Sequence, residues 1–297
     1  MYHNPVLLKK SVDDLVTNPD GIYVDVTFGG GGHSREILKK LSPKGKLYSF
    51  DQDLDALKNT IDDDRFTLIN QNFRFLENSL MAYGVTRVDG VLADLGVSSH
   101  QFDEASRGFS TRMNAPLDMR MNVMQVLDAK KIINEYEEEQ LASIFYYYGE
   151  LRESRKLARE IVNHRKTKII ETTDDLKKLF SYIPQFKQNK FFAQVFQAIR
   201  IEVNQELEVL KEMLVQSYNT LKPQGRLVVI SYHSLEDRLV KRFLKNGMFE
   251  GEPARDIYGN FSKIFDLLQT KAIIPSEEEI AENSRARSAK MRVGIKL

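Results

Sequence analysis

Asp25-Val26-Thr27-Phe28-Gly29-Gly30-Gly31-Gly32-His33-Ser34 is the stretch on which the fold of this chain turns. The apolar run Ile22-Tyr23-Val24 before it reads as a buried strand. Arg35-Glu36-Ile37-Leu38-Lys39-Lys40-Leu41 after it carries apolar residues at helical spacing. Glycines between a strand and a helix leave the backbone bare, so a ligand can come close to it. Asp51 ends the next strand-like run, Leu47-Tyr48-Ser49-Phe50, at the interval where nucleotide-binding α/β folds set a carboxylate against ribose hydroxyls. Together the loop and the acid predict an adenosine-type cofactor.

Outward from this stretch, strands and helices alternate. Ile22–Thr27, Leu47–Asp51, Phe66–Ile69 and Val88–Asp94 read as strands, with helical patterns near Ser34–Leu41, Leu54–Ile61 and Phe75–Tyr83 between them. That alternation builds a mostly parallel sheet covered on both faces. The next convincing strand, Arg226–Ser231, comes after a gap much longer than one crossover helix needs. The intervening chain reads as helical, over Glu137–Tyr148, Glu153–Arg165, Asp174–Ser181 and one or two helices in Lys190–Leu221. A helical insertion over residues 104–201 therefore interrupts a core made of 1–103 and 202–297. Ser234 is expected to cap the helix after Ser231. Lys271–Ile274 and Ala289–Ile295 are expected to pair antiparallel at the sheet edge.

The chain has 297 residues, 42% hydrophobic and 29% charged, with a net charge of +1. These are the proportions of a soluble globular protein of one or two domains. No apolar run reaches the roughly 18 residues that span a bilayer, and the N-terminus lacks the pattern of a secretory signal. Cytoplasmic localisation and no membrane partner are expected. With no cysteine there are no disulfides, no cysteine nucleophile and no thiolate metal site. The five histidines are scattered without ligand spacing, so no metal is expected. Basic residues cluster at Arg152, Arg155, Lys156, Arg159, Arg165, Lys166 and Lys168, and again from Arg285 to Lys296. Such clusters suit phosphates, but taken alone they read first as ordinary solvated faces.

The loop chemistry narrows the ligand. Its glycines run together and lack both the G-x-G-x-x-G spacing that serves a pyrophosphate and the lysine of a phosphate loop. Asp25 at the strand end would repel a pyrophosphate but suits a cationic cofactor such as S-adenosylmethionine. Asp94 ends the fourth strand, so Asp25, Asp51 and Asp94 all end strands on one sheet edge, where open α/β sheets bind ligands.

Further motifs run the length of the chain in order. They are His3-Asn4-Pro5-Val6-Leu7-Leu8, Asp25–Ser34, Asp94-Leu95-Gly96-Val97-Ser98-Ser99, Arg107-Gly108-Phe109-Ser110, Pro116–Met121, Phe196–Ile201 with Val203-Asn204, Ser231–Arg238 and Asn283–Ser288. By these the chain resembles the bacterial ribosomal RNA small subunit methyltransferase H (MraW) family. The resemblance implies a class I S-adenosylmethionine-dependent methyltransferase with a Rossmann-like sheet and an antiparallel C-terminal edge. Its implied reaction methylates the exocyclic N4 amine of a decoding-site cytidine in 16S ribosomal RNA. Gly31, Gly32, His33, Asp51, Phe73, Asp94 and Gln101 are the implied cofactor residues, and residues 104–201 the implied RNA-recognition part. The partner is then 16S rRNA or the small ribosomal subunit; homodimerisation stays open.

Cytosine's amine is conjugated with its ring and is a poor nucleophile, so an enzyme must align it and accept its hydrogen bond. The Pro-Pro-aromatic motif common in amino-methyltransferases is missing after Asp94. Asp94, with Asn204 or His233, is the expected orienting set, and Asp118 a weaker choice. The competing readings are a non-catalytic RNA-binding or ribosome-assembly protein on the same fold and a nicotinamide-dependent oxidoreductase.

Overall fold

The computed structural model describes residues 5–258 and 261–297; His3 and Asn4 of the first motif lie outside them. The chain divides into two compact units, residues 1–96 with 207–297, and residues 97–206. The expected cuts at 104 and 201 fall slightly inside the helical unit. Val97 and Phe102 pack on that unit's own core, and Val203 belongs to it.

The first unit holds seven strands: β1 (Ile22–Asp25), β2 (Lys46–Phe50), β3 (Phe66–Ile69), β4 (Val88–Asp94), β5 (Leu221–Ser231), β6 (Phe265–Leu267) and β7 (Lys290–Lys296). Their order is β3-β2-β1-β4-β5-β7-β6. β1 to β5 are parallel, with Val24 beside Val91 and Leu92 beside Val228. β7 runs antiparallel to β5 and β6. Side chains alternate between two apolar layers. Val24, Val91, Ala93, Leu227 and Val229 face one, whereas Tyr23, Leu92, Val228 and Ile230 face the other. A parallel sheet buried on both faces needs continuous apolar strands, and these segments supply them. Each fully buried aliphatic side chain contributes about 1.5–3 kcal/mol.

The helices are α1 (Leu8–Leu15), α2 (Gly32–Lys40) and α3 (Leu76–Ala82), then, in the helical unit, α4 (Ser99–Asp103), α5 (Ala129–Glu135), α6 (Glu138–Tyr147), α7 (Ser154–Arg165), α8 (Thr173–Leu179) and α9 (Gln185–Asn204). α10 (Glu206–Thr220), α11 (Ser234–Asn246) and α12 (Glu277–Glu282) follow. Among the described residues no helix is long and apolar enough to cross a membrane. The long pattern after Lys190 is two helices, because Gln205 adopts a left-handed φ of 51° and ends α9. The helical unit buries its own core, including Ile132, Leu141, Phe145, Ile161 and Ile199.

Three local expectations are corrected. Lys271–Ile274 is not a strand: Ile273 forms one isolated bridge to Met291 and Ile274 is exposed. The edge strand is instead β6, too short for its alternation to be read. β5 starts at Leu221 and runs through Lys222-Pro223-Gln224-Gly225, with a register shift beside Val88 and Gly90 that absorbs the proline. The cap of α11 is His233 and not Ser234; the His233 side chain accepts from the Glu236 backbone N–H.

Candidate active site

The parallel order of β1, β2 and β4 brings Asp25, Asp51 and Asp94 to one rim of the sheet. Their environments differ. Asp25 is fully buried; its Oδ2 accepts from Ser34 Oγ at 2.7 Å and its Oδ1 from Thr27 N–H at 3.1 Å. Ser34 is linked in turn to Ser49 Oγ at 2.8 Å. Thr27 Oγ1 accepts the Asp94 N–H at 2.7 Å, which ties the end of β1 to the end of β4. Burial raises the Asp25 pKa against the opposing pull of Ser34 and Thr27. Asp25 thus frames the loop from inside and does not present a free carboxylate.

The loop itself is braced. Gly29 N–H donates to Asp51 Oδ2 at 2.8 Å, Asn59 Nδ2 donates to Gly29 O, and the Arg35 guanidinium donates to Gly30 O at 2.6 Å. Gly31 caps α2 with φ 75°, and a Cβ there would sit 2.9 Å from the Phe28 ring. A Cβ on Gly32 would come within 2.2 Å of Pro5. Glycine is required at both positions for these different reasons.

Asp51 accepts a second backbone bond, from Asp53 N–H to Oδ1 at 2.9 Å. Both oxygens are fixed, and each keeps a lone pair for a further donor. Desolvation pushes its pKa up to about 6, against the backbone donors. Asn72 caps the turn after β3, and Phe73 follows it, half-buried against the layer that contains Phe50 and Leu76.

Asp94 is the acid with capacity to spare. Its Oδ1 accepts from the Tyr232 hydroxyl at 2.7 Å. Its Oδ2 lies 3.7 Å from His33 Nδ1, beyond hydrogen-bond reach, and the side chain is 20% exposed. Burial raises the Asp94 pKa to about 6; His33 and Tyr232 oppose that rise. His33 is buried on α2, and its Nε2 has no hydrogen-bond partner among the described residues. Burial lowers the His33 pKa, with Asp94 and a backbone hydrogen bond to Val6 pulling the other way. Among the described residues, a carboxylate oxygen and a ring nitrogen without partners on the rim suit a polar ligand.

Of the remaining predicted residues, His233 follows Tyr232 at the end of β5, and Gln101, Asn204 and Asp118 are in the helical unit. Gln101 is buried on α4 and completes a capping box with Ser98. Asn204 accepts from Met121 N–H at 2.8 Å and donates to Met119 O and Arg200 O. It clamps the turn in which Met119 holds a φ of 58°. Asp118 is engaged by the Arg120 guanidinium through both oxygens. His233 is a helix cap, with Nε2 3.2 Å from Glu236 Oε1. The aromatic run also divides: Phe145 is core, whereas Tyr146 and Tyr147 are exposed. Residue-type reasoning missed Tyr232 and Thr27. The signal for Tyr232 is its place one residue past β5, beside the strand that ends in Asp94.

The MraW methylase family model matches residues 1–297. A protein named Ribosomal RNA small subunit methyltransferase H from Christiangramia forsetii is 63% identical over 297 residues, covering 100% of this chain and 98% of its own. A protein of the same name from Flavobacterium johnsoniae is 61% identical with the same coverage. A solved rRNA methylase from Streptococcus thermophilus aligns with a TM-score of 0.37 at 13% identity, covering 97% of this chain and 93% of that one.

Proposed function

We propose, for a chain that belongs to the MraW methylase family, that it methylates the exocyclic N4 amine of a decoding-site cytidine in 16S ribosomal RNA, using S-adenosylmethionine. The observation that carries this reading is the acceptor oxygen of Asp94 at the carboxyl end of β4, near His33 of the glycine loop and on the same sheet rim as Asp51.

The rim fits the cofactor. Asp51 has two backbone-fixed oxygens, each with a lone pair for one of two neighbouring ribose hydroxyls. Gly31 and Gly32 keep the backbone bare where α2 begins, and Phe73 offers an apolar ring near the end of β3 for the adenine. When bound, S-adenosylmethionine supplies a sulfonium methyl; the cytosine nitrogen takes the methyl carbon, the carbon–sulfur pair stays on sulfur, and the nitrogen loses one proton.

Asp94 supports that chemistry from the protein side. Above about pH 6 its carboxylate is ionised, and Oδ2 can accept the amine hydrogen that the transfer releases. His33 Nδ1 stays 3.7 Å from Oδ2, outside hydrogen-bond reach, so this oxygen is open to a ligand donor. Asn204 supports the loop next to it, since its polar atoms already serve backbone groups, and His233 supports the start of α11 through Nδ1, with Nε2 facing Glu236.

Residues 104–201 are the RNA-recognition part of the proposal. Arg155, Lys156, Arg159 and Lys166 are exposed along α7 and its C-cap. The Lys156 ammonium sits 4.8 Å from the Tyr182 ring centroid, and Tyr182 donates to Glu160 at 2.8 Å. Cations beside an exposed ring suit phosphates and unstacked bases. The test is incubation with S-adenosylmethionine and either 16S RNA or small subunits from cells lacking the protein, followed by mass spectrometry. A methyl on one cytidine N4 is expected. A methyl on a ribose or on another base would overturn the N4 assignment, and RNA binding without any transfer would favour a binding protein.

A further inference from the structure

Among the described residues, the Tyr232 hydroxyl is the hydrogen-bond donor to the Asp94 carboxylate. The tyrosine follows β5 directly. Its backbone N–H donates to Glu236 Oε2 at 2.9 Å, and its ring packs on the apolar layer that contains Ile230 and Met291. Gly96, at φ 95°, passes beside the ring, where a Cβ would lie 3.5 Å from Tyr232 Cδ2. Fixed at backbone and ring, the side chain delivers its O–H to Asp94 Oδ1 at 2.7 Å. Asp94 N–H is held by Thr27 at 2.7 Å, so the strand end cannot drift away from this donor.

We propose that Tyr232 is a positioning residue for the reaction. Its hydroxyl occupies Oδ1 and fixes the carboxylate rotamer, which leaves Oδ2 as the acceptor for an N–H donor of the bound ligands. This rests on the methyltransferase reading given above. Two donors share that chemistry: the α-ammonium of S-adenosylmethionine and the exocyclic amine of the acceptor base. A carboxylate that accepts from a phenol loses one hydrogen-bonding direction and keeps the others, so the contact orients the group without consuming it.

The groups that face Asp94 are His33 on α2, Asp25 at the end of β1, Glu236 on α11 and Tyr232 itself. Asp25 and Glu236 oppose its ionisation, and His33 and Tyr232 favour it. Deleting the hydroxyl removes a donor to the charged form, so Asp94 holds its proton to higher pH. A merely structural role for Tyr232 would lower stability, or all rates evenly, and leave the pH profile in place.

The experiment compares wild type with Tyr232→Phe over about pH 5.5 to 8.5, an interval around the Asp94 transition near 6. It measures single-turnover methyl transfer to small-subunit RNA and, in parallel, calorimetric binding of S-adenosylmethionine. The expected result is a variant-to-wild-type ratio that falls about tenfold from the alkaline to the acid end, one pKa unit of displacement. If the fall is in cofactor affinity, the ammonium is the donor; if it is in transfer alone, the base amine is. In an Asp94→Asn background the same tyrosine change should produce no pH-dependent ratio. A flat ratio in both measurements overturns the proposal, and so does a pH-dependent ratio that persists in Asp94→Asn. If wild type transfers no methyl at all, the methyltransferase reading fails by itself, and the calorimetric ratio alone then decides the role of Tyr232.

Discussion

The rim of the sheet and the polar clamp of the helical unit both bury hydrogen-bonding side chains, with opposite completeness. Asn204 makes three bonds, to Met121, Met119 and Arg200, and Asp118 is engaged at both oxygens by Arg120. At the rim, among the described residues, Asp94 Oδ2 and His33 Nε2 have no hydrogen-bond partner, and burial raises the pKa of both Asp51 and Asp94 to about 6. A satisfied cluster rigidifies the loop it holds. An incomplete one is costly to the apoprotein and is retained where a ligand completes it. The contrast separates structure from chemistry among residues of the same polar types.

The comparison can be broken at either region. The largest effect is expected from Asp94→Ala, which should slow methyl transfer by on the order of 10²–10⁴, the usual contribution of a positioned acid–base group, with the far-ultraviolet circular dichroism unchanged. Transfer within threefold of wild type would remove Asp94 from the mechanism. Asp51→Ala should weaken S-adenosylmethionine binding by about 10–100-fold in calorimetry, the scale of lost hydrogen bonds to a charged group. Unchanged affinity would place the ribose elsewhere.

In the helical unit, Asn204→Ala leaves the Met121 N–H and the Met119 carbonyl without this partner. A loss of about 1–3 kcal/mol is expected in urea unfolding. The smallest effect should have the opposite sign. A carboxyl whose folded pKa is raised contributes stability that is present below its unfolded value near 3.8 and is lost as pH rises through about 6. Asp94→Asn removes that loss, so at pH 7.5 the apoprotein should gain about 1–2 kcal/mol over wild type, with the gain vanishing toward pH 4. A loss of stability at pH 7.5 would mean that the rim is satisfied without ligand.

Much of the core was legible because apolar strand runs are local signals. Phe66–Ile69 and Val88–Asp94 fall where the sequence places them, and the long crossover before β5 announced the insertion. Asp51 and the glycine loop were legible for the same reason: their spacing along the chain follows from the βαβ unit. Contacts across the sheet were not. Tyr232 meets Asp94 over 138 positions, and a tyrosine one residue past a strand usually packs as core. Asn204 reads as polar and available, yet its role depends on the left-handed backbone of Met119, which no local pattern announces. Asp25 looked like a ligand-facing acid, but Thr27 and Ser34 turn it inward. His233 replaces Ser234 as cap because the extended residue before the helix, and not the better capping type, sits where the Glu236 N–H points.

The central claim is that the incomplete rim, through Asp94, performs methyl transfer to RNA. The most direct measurement is the transfer of a labelled methyl from S-adenosylmethionine to small-subunit ribosomal RNA by wild type and by Asp94→Asn at equal concentrations of folded protein. The account predicts label on a single cytidine with wild type and a loss on the order of a hundredfold or more in the variant. Equal rates for the two proteins, or no label with wild type on either free RNA or assembled subunits, would contradict it.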